Sequence, residues 1–165
     1  MSNSIKYLIG CMAILMTSCY SFSGITVDPN IRTYYVGLFD DKTPGAFPGL
    51  DQIFTEDLKE KIRTQSRLIY TENEPDVSFI GSIVDFRVTS EAPAQGETTA
   101  VSRLTIKVYI EFENTFNEEK SWSRNFDFFF DYDATQDLLD VQDEAVATIS
   151  DQINENVFNA AFNDW

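Results

Sequence analysis

Between residues 103 and 112 apolar and polar side chains alternate without a break. Leu104, Ile106, Val108, Ile110 and Phe112 take one parity, and Arg103, Thr105, Lys107, Tyr109 and Glu111 take the other. A period of two belongs to a strand with one dry face and one wet face, so this stretch commits the chain to a sheet that buries a single side. Sheets of that kind are built from antiparallel neighbours, and both flanks supply them. Downstream, Asn117-Glu118-Glu119-Lys120 reads as a turn into a strand in which Trp122, Arg124, Phe126, Phe128 and Phe130 alternate with Ser121, Ser123, Asn125, Phe129 and Asp131. Upstream, residues 77–89 read as a strand with Ile80, Val84, Phe86 and Val88 on one face and Gly81 as a bulge or a point of close approach. Residues 90–99, with Ala92-Pro93-Ala94-Gln95-Gly96 inside, form a hairpin loop longer than a tight turn.

Two amphipathic helices complete the pattern. After Pro48-Gly49, Leu50, Ile53, Phe54, Leu58 and Ile62 recur at spacings of three and four, and from Leu138 onward Val141, Ala145, Ile149, Ile153, Val157 and Ala161 do the same. Val146, Phe158 and Phe162 widen the second stripe, and Asp137 is placed to cap it. Residues 31–39, IRTYYVGLF, are rich in β-branched and aromatic side chains and give a first strand, and residues 67–70 add a weak strand-like piece. The order β-α-β-β-β-α predicts an α+β two-layer sandwich: a mixed, mostly antiparallel sheet of about four strands with both helices on one face. The strands on either side of the first helix should run parallel.

The N-terminus sets where this domain works. Lys6 followed by an apolar run from Tyr7 to Met16 is the layout of a secretory signal peptide, and the run falls short of the roughly 20 residues that span a bilayer. It ends in Leu15-Met16-Thr17-Ser18-Cys19, the pattern of a bacterial lipobox. Residues 1–18 are then removed, Cys19 carries acyl chains such as palmitate, residues 19–30 form a lipidated tether, and residues 31–165 form a single domain. Two or three buried acyl chains hold a protein at a membrane surface almost permanently.

Cleavage leaves 11 basic residues against 27 acidic ones, a net charge of −16, which repels nucleic acid. Cys11 leaves with the signal peptide and Cys19 is acylated, so no disulfide forms. Histidine is absent from the whole chain, which removes the commonest general base and metal ligand. Gly-rich phosphate loops and a G-x-S-x-G elbow are missing as well, and the acidic pairs Asp40-Asp41 and Glu118-Glu119 fall in expected turns without ligand spacing. The expectation is a non-enzymatic protein with no cofactor and no metal.

Several segments together resemble the LptE family of lipopolysaccharide-assembly lipoproteins, most closely its Bacteroidota-type branch. They are Cys19-Tyr20-Ser21-Phe22-Ser23-Gly24, Asp76-Val77-Ser78-Phe79-Ile80-Gly81-Ser82-Ile83, Ser102-Arg103-Leu104-Thr105-Ile106-Lys107-Val108 and Val157-Phe158-Asn159-Ala160-Ala161-Phe162-Asn163-Asp164-Trp165. The resemblance implies a lipid-anchored protein on the periplasmic side of the outer membrane that plugs an LptD-like β-barrel, assists its assembly and serves lipopolysaccharide delivery to the cell surface. Some members contact anionic groups of lipopolysaccharide through basic residues. Here Arg103 and Lys107 on one strand, with Arg87 and Arg124 on its neighbours, are the candidates for contact with the partner or with lipopolysaccharide. The alternative is a periplasmic-facing lipoprotein that binds a lipid or other apolar ligand, with Phe128-Phe129-Phe130 and the aromatics around them as its groove.

Overall fold

The computed structural model of the chain describes residues 27–43, 45–91 and 100–163. The signal peptide, Cys19, most of the tether and the tip of the 90–99 loop lie outside these residues. In chain order the elements are β1 (Thr33–Val36), β2 (Asp40–Asp41), α1 (Leu50–Gln65), β3 (Ile69–Tyr70), β4 (Val77–Glu91), β5 (Val101–Asn114), a 3₁₀ turn (Glu118–Lys120), β6 (Trp122–Asp133) and α2 (Leu138–Phe162). One sheet runs β3-β1-β4-β5-β6, and β2 also pairs with β4. β1 lies parallel to β3 and β4, β2 is parallel to β4, and β4, β5 and β6 form an antiparallel meander. The α+β sandwich is therefore present. Its sheet has six strands, because the pairs Asp40–Asp41 and Ile69–Tyr70 each add a two-residue strand beside the four longer ones.

The apolar parity of β5 is buried as expected, with Leu104, Ile106, Val108 and Ile110 0% exposed and Phe112 1% exposed, and on the other parity Thr105 is buried as well, at 9%. The apolar side chains meet the apolar stripes of both helices in one core. Pro48-Gly49 does open α1, with Gly49 at φ +85°, a left-handed conformation that glycine adopts without steric cost. Asp137 caps α2 by accepting the Leu139 N–H at 3.0 Å.

Strand β4 departs from expectation. Val77, Phe79 and Ile83 point into the core, while Ile80 is 44% exposed. The register against β5 shifts between Ile83 and Asp85, where Ile83 pairs with Val108 and Asp85 already pairs with Lys107. The extra residue, Val84, exchanges the two faces, so that Phe86 and Val88 pair with the inward Ile106 and Leu104. Ile80, Val84, Phe86 and Val88 thus do not share a face. Gly81 is the point of close approach, since a Cβ there would lie 2.5 Å from ring carbons of Phe39, and the bulge comes three residues later. In α1, Ile53 is 40% exposed and Thr55 is buried in its stead. Thr55 Oγ1 accepts the Phe39 N–H and donates to the Asp51 carbonyl, which makes burial of a hydroxyl tolerable.

Candidate functional site

Both helices cover one face of the sheet and leave the other free. In an antiparallel ladder, directly paired residues point the same way. Arg87 pairs with Thr105, Arg103 with Asp131, and Lys107 with both Asp85 and Asp127. The alternation of β5 puts Arg103, Thr105 and Lys107 opposite the buried row, so Arg87, Arg103 and Lys107 stand together on the helix-free face. Arg124 does not join them. It pairs with the buried Ile110, on the helix side of the sheet, and its guanidinium lies 5.2 Å from the Trp122 ring centroid.

The three clustered cations are each set among carboxylates. Arg103 makes a two-pronged pair with Asp131, Nε to Oδ1 at 2.7 Å and Nη2 to Oδ2 at 2.8 Å, and its guanidinium lies 3.8 Å from the Phe129 ring centroid. The hydrogen bonds from Arg103 hold the Asp131 carboxyl below its ordinary range, and Asp131 raises Arg103 in turn. Arg87 Nη1 meets Asp85 Oδ2 at 3.0 Å. Lys42, beside β2, adds a fourth cation, with Nζ 3.3 Å from Ser82 Oγ and 3.5 Å from Asp40. Between Arg87, Arg103, Thr105, Asp127 and Phe129 lies an open depression of about 440 Å³. Such a face offers paired, two-signed hydrogen bonding to a wet surface and no concentrated positive field. Asp85, Asp127 and Lys42 were not singled out by sequence reading, because their place depends on register across three strands.

Of the aromatics from Phe126 to Tyr132, the candidates for a ligand groove, Phe126, Phe128 and Phe130 are half-buried against the core and Tyr132 is buried, while Phe129 is 42% exposed on the opposite face. Among the described residues, no group of three or more His, Cys, Asp or Glu side chains is placed to hold a metal ion.

The model of the family described as LptE, lipopolysaccharide-assembly, matches residues 31–161. The chain belongs to the LptE family. The match takes in every element of the sandwich up to the last turn of α2. Solved structures similar to this LptE-family chain include a minor lipoprotein from Acinetobacter baumannii, at 9% identity and TM-score 0.50, covering 81% of this chain and 94% of that one. A hypothetical protein from Chlamydia trachomatis is similar at 7% identity and TM-score 0.52, over 81% of this chain and 99% of its own. A protein from Xanthomonas campestris is similar at 10% identity and TM-score 0.52, over 84% and 90%. At these identities the likeness is one of fold. No curated protein matches the sequence significantly. Membership in the LptE family makes this chain a lipopolysaccharide-assembly lipoprotein. Among the described residues no helix is long and apolar enough to cross a membrane.

Proposed function

We propose that this LptE-family domain is the plug of an LptD-like outer-membrane β-barrel, assists the assembly of that barrel and serves the delivery of lipopolysaccharide through it. Acyl chains on Cys19 hold it at the periplasmic side of the outer membrane, and it carries out no catalysis. The observation that supports this reading is the helix-free sheet face, where Arg87, Arg103 and Lys107 are interleaved with Asp85, Asp127 and Asp131. A barrel lumen is polar and hydrated, and a face that interleaves charges of both signs, with Arg87 and Arg103 already ion-paired, suits contact with it. Arg103 and Arg87 are already ion-paired with Asp131 and Asp85, which favours the barrel wall over an anionic ligand as the partner for this face.

Affinity purification of the tagged chain from detergent-solubilised outer membranes tests the reading. An LptD-like barrel should co-purify in near-equal amount. Recovery of the intact chain with no β-barrel partner would overturn it. In the same preparation Cys19→Ala should move the folded domain from the membrane fraction to the soluble one.

A further inference from the structure

The two edges of the sheet are finished differently. On one side β3 ends the sheet with two residues, Ile69–Tyr70, and on the other β6 ends it with twelve, Trp122–Asp133. Among the described residues nothing pairs with the far side of β6. A free edge presents a row of N–H and C=O groups that templates another strand, and natural sheets blunt it with short strands, bulges, prolines or charges. β6 contains no proline or glycine, and its register against β5 runs from Val101 and Asp133 to Phe112 and Trp122 without a shift. The one inward charge, Arg124, stands near the start of the strand, laid over Trp122. From residue 125 onward neither a register shift nor an inward charge interrupts the edge. Phe126, Phe128 and Phe130 remain only half-buried on the helix side, and Phe129 is 42% exposed on the other. Beside Phe129 on that second face stand Asp127, Asp131 and Asp133.

We propose that the edge of β6 over residues 125–133 is a docking site for an extended segment of a protein partner, which adds to the sheet as one more strand. Backbone hydrogen bonds give such a complex its affinity, and alternate side chains give it specificity. On the helix side, apolar residues of the incoming strand complete the cover over Phe126, Phe128 and Phe130. On the opposite side, a basic residue meets the exposed Asp127, since Asp131 is engaged by Arg103 and Asp133 by Thr135, in keeping with a chain of net charge −15. A second copy of this chain would bring the same net charge of −15 and repel itself, so the occupant is a basic strand of another protein. Nothing in this proposal depends on the barrel, and its test uses the purified chain alone.

The probe is a synthetic peptide of roughly eight residues alternating valine and lysine, a length that matches the open edge. Added to the full chain in detergent, it should slow hydrogen exchange of β6 amides, with the α1 amides unchanged. The same peptide N-methylated at alternate residues keeps its charge but cannot complete the ladder, and should bind at least about tenfold more weakly. Asp127→Lys, at an exposed position, should weaken the unmodified peptide while the melting temperature stays near that of the parent chain. Equal binding of the two peptides would show bare charge attraction and overturn the proposal, as would protection that falls outside β6. Concentration-dependent self-association that protects β6 without any peptide would overturn it in favour of a second copy.

Discussion

The ring of Phe39 occupies the space that a side chain at position 81 would need: a Cβ built on Gly81 lies 2.5 Å from Cδ1, Cε1 and Cζ of Phe39. Phe39 has little room to yield, because it is 1% exposed, stacks on Phe54 at 6.2 Å and donates its N–H to Thr55. Gly81→Ala should therefore destabilise the fold by about 1–3 kcal/mol, the usual cost of overpacking a close-fitted core. Gly37→Ala is the control. Its Cβ would meet the flexible end of Ile80 at 3.0 Å, and the melting temperature should fall much less.

The register shift in β4 makes a second expectation. Ile83 is fully buried before the shift, whereas Ile80 stands on the opposite face and is 44% exposed. Ile83→Ala should cost about 2–5 kcal/mol, in the range of buried isoleucines such as Ile106 and Ile153, and Ile80→Ala should cost well under half of that. Denaturant melts of the two variants distinguish them. Equal losses would place the bulge elsewhere.

Acid should loosen the attachment of β1 to β4. Asp76 Oδ2 accepts the N–H groups of Arg32 at 2.7 Å and Thr33 at 2.9 Å, while the Thr33 hydroxyl accepts the Asp76 N–H at 3.0 Å. Desolvation alone would raise this carboxyl, and the hydrogen bonds, from Arg32 first and then Thr33, outweigh it and hold the pKa below the ordinary value of 3.8. A carboxyl lowered in the folded state binds its proton more readily when unfolded. Its contribution is thus complete above the unfolded pKa and is lost as pH falls through the folded one. Asp131 and Glu155 are shifted in the same direction by Arg103 and Lys61. Asp76→Asn should be less stable than the parent by about 1 kcal/mol at neutral pH and should lose less on acidification below about pH 4, as read from urea midpoints across pH.

The helix-free face yields a separation by side. Arg87→Gln combined with Lys107→Gln should reduce co-purification of the barrel with little change in melting temperature, while Arg124→Gln, on the helix side, should leave co-purification intact. Neutral replacements are preferable to reversal here. A glutamate at 103 would face Asp131, now 2.7 Å from the Arg103 guanidinium, and would confound stability with association.

Much of this protein follows from local sequence alone. The alternation from Leu104 to Phe112 dictates a strand with one buried face, the three-and-four spacings dictate two helices with one apolar stripe each, and Asp137 announces the start of the second. Those features were legible because they depend on residues no more than about four apart, which share a face by the geometry of a strand or a helix. What faces what across the sheet was not. The extra residue at Val84 exchanges the sides of β4, Arg103 finds Asp131 through a pairing 28 residues away, and Arg124 falls behind the sheet from Arg87 and Lys107. Gly81 could be marked as special from sequence, but only the fold brings Phe39 to it. Pairing register is set by contacts between segments distant in the chain, and a slip of one residue moves every side chain to the other face. The chemistry of each strand was therefore fixed locally, and the composition of the face offered to a partner was decided by tertiary structure.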